Sequence, residues 1–132
     1  LGLIMLDLDK FKKINDTYGH LYGDYILKEV GKIIKENVRT IDVVGRFGGE
    51  EFSVILVNTN VRDCIPLAKR IVEGINRKTF IFDGIATNLT ISAGMSGYPS
   101  MSKESKELIK MADDAMYQTK KKGGNDVTIF QS

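Results

Sequence analysis

The chain has 132 residues, 42% apolar and 27% charged, the proportions of one globular domain with no room for two. Nineteen Lys and Arg against seventeen Asp and Glu leave a formal net charge of +2, which argues against a nucleic-acid-coating protein or an acidic tail; any anion must be held locally. No apolar run approaches the roughly 20 residues of a membrane span, the opening LGLIMLDLDK lacks the marks of a signal peptide, and a lone Cys64 can form neither an internal disulfide nor a zinc site. A soluble cytoplasmic domain is expected, itself free of membrane contact. Because the chain opens on Leu1 in what reads as mid-strand, a longer parent is also expected, membrane-anchored or not.

Residues 1–8 are almost uninterrupted hydrophobe, the pattern of a short strand buried on both faces, with Asp7 and Asp9 at its exit. Between Phe11 and Gly19 helix and turn signals mix, which predicts a short helical turn and then a loop. From Asp24 onward Ile26, Leu27, Val30, Ile33, Ile34 and Val38 recur at three- and four-residue steps, one apolar stripe on a helix. Residues 43–47 and 52–57 are β-prone runs joined by Gly48-Gly49-Glu50-Glu51, a hairpin whose solvent-facing turn carries both acids. Ile65, Leu67, Ala68, Ile71, Val72 and Ile75 mark a second amphipathic helix, and residues 79–82 and 89–96 read as strands around the turn at Asp83-Gly84. A last helix from about 105 to 122, with Leu108, Ile109, Ala112, Ala115, Met116 and Thr119 inward, stops at Gly123-Gly124, and residues 127–130 suit an edge strand. This order predicts a single α+β domain over 1–132, a mixed central sheet of about five strands covered by helices.

If the hairpin lies beside the first strand, Asp7 and Glu50 converge. A carboxylate at the end of a buried strand must find a cation, a strong donor or a proton. Two converging carboxylates that leave room for water and phosphate oxygens suit Mg²⁺. The plainer alternative is that Asp7 caps the next turn and Glu50 is an exposed hairpin acid. Gly48 and Gly49 satisfy a type I′ turn, where both central positions want positive φ, and also let a bulky ligand lie against bare backbone. Lys10, Phe11, Lys12 and Lys13 open a helical turn whose free amides attract phosphate.

The segments LDLDKFKKINDTYGHLYGD, RFGGEEF, LTISAGMSG and ADDAMYQTKKKGGN, in this order and spacing, resemble the GGDEF-domain diguanylate cyclases over essentially the whole chain, with GGEEF a variant of the name-giving motif. The resemblance implies a fold similar to the nucleotidyl cyclase and polymerase palm, and condensation of two GTP into cyclic di-GMP plus two pyrophosphates. It implies that Asp7, Glu50 and the Leu8 carbonyl hold Mg²⁺ or Mn²⁺, with Glu50 as proton acceptor, Glu51 and Asp9 in support, and Lys12 neutralising phosphate charge. Asn15 and Asp24 match guanine-binding positions and His20 a substrate contact; Phe11, Gly48, Gly49 and Lys120 complete the substrate site. Arg39 and Asp42 form an RxxD that matches an inhibitory product-binding site, with Arg70 a further contact. A site-to-site homodimer and an upstream sensor or regulatory domain are implied partners, and no nucleic acid.

Two departures stand out. Gly124 sits where the family usually has an Arg that binds the triphosphate, which predicts weakened GTP binding, and the family's preceding helix and DxLTxLxNR segment are absent. The alternatives are a non-catalytic cyclic di-GMP or GTP-binding signalling module and a cyclase of altered base choice. Intact Asp7, Lys12 and Glu50 oppose the first, and Asp24, suited to guanine, opposes the second.

Overall fold

The computed structural model describes residues 1–131. Strand β1 (Gly2–Leu8) is followed by helices α1 (Phe11–Tyr18) and α2 (His20–Asn37), then by strands β2 (Val43–Arg46) and β3 (Glu51–Leu56). A 3-10 turn (Arg62–Cys64) leads into α3 (Ile65–Arg77), the short strands β4 (Phe80–Phe82) and β5 (Ile85–Thr87), then β6 (Ile91–Gly97), α4 (Ser105–Lys121) and β7 (Val127–Ile129). The main sheet runs β2-β3-β1-β6-β7, with β7 parallel to β6 and the other pairs antiparallel, so the expected mixed five-stranded sheet is present. No helix among the described residues is long and apolar enough to cross a membrane.

Alternation along β1 divides the core. Ile4, Leu6 and Leu8 face the helical layer of α1, α2 and α3, packed with Phe11, Tyr22, Ile26, Val30 and Ile71. Leu3 and Met5 face the other way, against Leu108, Ala112 and Met116 of α4. Asp7 and Asp9 continue this second, odd-numbered series, so both acids emerge on the α4 side of the sheet. The helix lies unusually close there: a Cβ at Gly94 of β6 would overlap the backbone of Ala112 and Met116, which is why glycine stands in the middle of this strand.

Five expectations change. Residues 11–18 form a full helix rather than a turn and loop, and Gly19 alone, at φ 92°, joins it to α2. Helix α2 begins at His20, four residues before the expected start at Asp24, so Asp24 lies beyond its first turn. Only Gly48 of the glycine pair has positive φ (103°), and Glu51 belongs to β3 instead of the turn, because the chain needs four residues to connect β2 to β3. The turn at Asp83-Gly84, with φ of 52° and 77°, closes a separate β4–β5 hairpin; β6 joins the main sheet, so β5 is a strand the sequence reading lacked. Helix α4 ends at Lys121, one residue earlier than expected.

Candidate active site

The register of β1 sets the first group of acids. Asp7 lies opposite Glu51 of β3 and Ser92 of β6. Its Oδ1 is buried with no hydrogen-bond partner among the described residues, and its Oδ2 is 3.6 Å from Lys120 Nζ. Burial raises the Asp7 carboxyl to about 6; Lys120 opposes the rise, and the charges of Glu50 and Glu51 add to it. Glu51 is likewise raised, by burial first and then by Asp113 and Glu50. Such a corner is short of positive charge, and an oxygen buried with nothing to accept from suits a cation. No group of three or more His, Cys, Asp or Glu side chains gathers into a metal cage among the described residues. Glu50 lies near enough for its charge to raise Asp7, and the Asp7 and Glu50 carboxylates with the Leu8 carbonyl would offer a divalent ion such as Mg²⁺ or Mn²⁺ the hard oxygens it takes.

Asp9 does something different from Asp7. Its carboxylate accepts from Thr90 Oγ1 (2.6 Å), Ser92 Oγ (2.6 Å), the Asn125 amide (3.0 Å) and Lys120 Nζ (3.1 Å). Burial alone would raise this acid, but those donors hold it below the ordinary carboxylate value. The same ammonium of Lys120 donates to the Leu8 carbonyl at 3.2 Å, so one lysine on the last turn of α4 reaches both acids and the carbonyl between them. Gly124, at φ 74°, lies so close that a Cβ would sit 2.6 Å from Asp9 Oδ2.

The amides of α1 form the second part. Lys10 enters the helix at φ 59° with no side-chain cap, and the first helical bond is from the Ile14 amide to the Lys10 carbonyl, at 3.4 Å. The preceding amides of Phe11, Lys12 and Lys13, in the first turn, have no intrahelical acceptor. Phe11 itself is 6% exposed and packed in the core, so only its backbone can meet a ligand. Lys12 is exposed. Asn15 has its Oδ1 buried with no partner among the described residues, wedged over Gly23, where any Cβ would overlap it. Asp24 follows Gly23 on α2 and His20 precedes it by one turn, both exposed. Gly48 and Gly49 have open space where side chains would go, and Arg46 clamps the loop through Nε and Nη2 to the Gly49 carbonyl (3.1 and 2.8 Å).

Residues 1–126 match the family described as "Diguanylate cyclase, GGDEF domain". The chain belongs to that family. It is 44% identical over 132 residues to Diguanylate cyclase A of Treponema denticola, covering all of this chain and 36% of that protein. Diguanylate cyclase DosC of Escherichia coli K12 is 38% identical over 136 residues, with 29% of its length covered, so the chain spans about a third of the curated relatives it matches. Among solved structures, the active GGEEF domain of a diguanylate cyclase from Vibrio cholerae superposes with a TM-score of 0.91 at 30% identity, over 99% of this chain and 83% of that one. The fold is the mixed palm-like sheet of that family.

This GGDEF domain separates the RxxD pair from the acids. Asp42 has a fully buried side chain; burial would raise its carboxyl, but hydrogen bonds from Arg39 and from the Val57 amide hold it low. Arg39 bonds Asp42 through Nε (3.0 Å) and Nη2 (2.8 Å), and the Val57 carbonyl at 2.6 Å. Asp42 is committed to fastening the loop, whereas the half-exposed Arg39 still borders a cleft of about 280 Å³ together with Arg70, whose Nη2 donates to the Asn37 carbonyl. Sequence reasoning missed three contributors to the site: Thr90 and Ser92, two residues apart on one face of a predicted strand and inside a quoted motif, and Arg46, likewise in a quoted motif, none of them given a role.

Proposed function

We propose that this domain is the catalytic unit of a diguanylate cyclase that joins two GTP into cyclic di-GMP and releases two pyrophosphates. The observation that carries this reading is the pair of buried side-chain oxygens without a partner among the described residues, Asp7 Oδ1 and Asn15 Oδ1. One lies in the acid corner and the other beside Asp24, the places where a cation and a guanine edge are needed. Buried acceptors left empty are expensive, and a ligand that supplies a cation to one and N–H donors to the other removes both costs.

A divalent ion held by Asp7, Glu50 and the Leu8 carbonyl would polarise the phosphate oxygens and lower the pKa of the attacking 3′-hydroxyl. Glu50 takes the proton of that hydroxyl as it attacks the α-phosphate of the second GTP, and pyrophosphate leaves in line. The free amides of Phe11, Lys12 and Lys13 bind phosphate oxygens, with the Lys12 ammonium offsetting the charge that accumulates there. Asn15 Oδ1 and the Asp24 carboxylate accept from the guanine N2 amino group and N1–H, a donor pair adenine lacks. His20 borders the same pocket, and bare Gly48 and Gly49 let the nucleotide lie on the backbone; Glu51 and Lys120 tune the charge around it. Each domain offers one GTP, so two must face each other across a two-fold axis, brought together by regulatory parts of the parent protein. Arg39 and Arg70 take the product in their cleft as an inhibitor, Asp42 keeping Arg39 in place.

The test is to incubate the dimerised domain with Mg²⁺ and either GTP or ATP, then separate the products. GTP alone is expected to give cyclic di-GMP, and Glu50→Gln to abolish it while the fold survives. Equal turnover of ATP, or undiminished product from Glu50→Gln, refutes the assignment.

A further inference from the structure

Lys120 occupies the corner assigned above to a divalent ion. Its Nζ donates to the Leu8 carbonyl at 3.2 Å and to Asp9 Oδ1 at 3.1 Å, and lies 3.6 Å from Asp7 Oδ2. The Leu8 carbonyl is one the proposed function gives to the metal, and Asp7 Oδ2 belongs to the same carboxylate whose empty Oδ1 would take the ion. An ammonium and a divalent cation held on the same carbonyl and carboxylate repel one another across a half-buried site, so each weakens the other's hold there. The third oxygen behaves differently. Asp9 is held by Thr90, Ser92 and the Asn125 amide, and the backbone at Gly124 presses against it closely enough to exclude a Cβ. Three donors besides Lys120 thus hold it in place.

We infer that Lys120 is a resident counter-cation that stabilises the metal-free site and, pivoting on the fixed carboxylate of Asp9, gives up Asp7 and the Leu8 carbonyl when a divalent ion arrives. Asp9 is therefore a positioning residue, acting through Lys120. Released from Asp7 but still tethered, the ammonium is free to turn toward incoming phosphate, so metal entry and phosphate binding draw on the same lysine. This inference rests on the metal site of the proposed function, and its test separates the two.

Mn²⁺ is titrated into the nucleotide-free domain, with the free ion followed by electron paramagnetic resonance. Lys120→Met is expected to tighten Mn²⁺ binding by about tenfold or more, as a monovalent competitor leaves a half-buried site. Asp9→Asn is expected to weaken binding several-fold in the wild-type background, because Lys120 then leans wholly on Asp7 and Leu8, and to change little in the Lys120→Met background. An equal loss from Asp9→Asn in both backgrounds makes Asp9 a direct ligand and overturns its positioning role. Unchanged affinity in Lys120→Met, with binding still lost in Asp7→Asn, overturns the inference and leaves the metal site standing. Mn²⁺ binding indifferent to Asp7→Asn removes both. A measurement on the unaltered domain guards against misfolded variants: the Lys120 ε-methylene resonance must shift on adding Mg²⁺, and a stationary resonance overturns the inference.

Discussion

Asp7→Asn is expected to stabilise the metal-free domain while destroying its activity. The carboxyl titrates at about 6 in the folded chain against 3.8 ordinarily, chiefly through burial, with Lys120 opposing and Glu50 and Glu51 adding. Because the folded-state value is the higher one, between pH values of about 4 and 6 the folded chain keeps a proton that the unfolded chain has lost. Stability therefore falls as pH rises through that window, and the loss is complete above it. A shift of roughly two pK units corresponds to at most ~3 kcal/mol. The side chain reaches solvent at the open end of the sheet, where screening reduces the penalty to ~1–2 kcal/mol. The amide brings a smaller desolvation of its own, leaving a net gain of about 1 kcal/mol, or roughly 3–5 °C in the unfolding midpoint for a chain of this size. Thermal unfolding in chelator near neutral pH reads this directly. The gain must disappear below about pH 3, where Asp7 is protonated in both the folded and the unfolded chain, and the order must reverse in saturating Mg²⁺, which stabilises only the chain that binds it. A lower midpoint for Asp7→Asn in chelator at neutral pH, or the same gain at low pH, refutes the reasoning.

Gly124→Arg is not expected to restore family-typical GTP binding: any Cβ there lies 2.6 Å from Asp9 Oδ2 at a φ of 74°, so the substitution should destabilise by about 1–3 kcal/mol and raise the KM for GTP instead of lowering it. A higher midpoint or a lower KM contradicts the close packing described. Arg39→Ala should relieve product inhibition only together with a drop of several degrees in the unfolding midpoint, because it strands the buried Asp42 carboxylate, whereas Arg70→Ala should relieve inhibition with the midpoint unchanged. Inhibition curves with added cyclic di-GMP, run beside melting curves, separate the two. Tyr22→Phe removes a hydroxyl set 3.1 Å from the carbonyls of Phe80 and Ile85 and 2.8 Å from Thr87 Oγ1, which should cost about 1–2 kcal/mol and speed amide hydrogen exchange in the β4–β5 hairpin ahead of the main sheet.

What the sequence displayed and what it hid divide along one physical line. The stripes of α2, α3 and α4 and the hydrophobic run of β1 were legible because burial writes itself into periodicity, and the main sheet followed from them. Short elements with little apolar content were not: α1 keeps only Phe11 fully buried, and β5 exposes both Ile85 and Ala86, so neither leaves a pattern. The site divides in the same way. Asp7 and Asp9 share a spacing of two and read alike, as acids on one face of one strand. They part only because β6 brings Thr90 and Ser92 beneath Asp9, and α4 closes Lys120 and the Asn125 amide over it, from residues more than eighty positions away. One acid is thereby satisfied and fixed, while the other keeps an oxygen empty. That difference between neighbouring carboxylates, produced by tertiary closure alone, is what the two proposed roles rest on, Asp7 to take an ion and Asp9 to hold a lysine still.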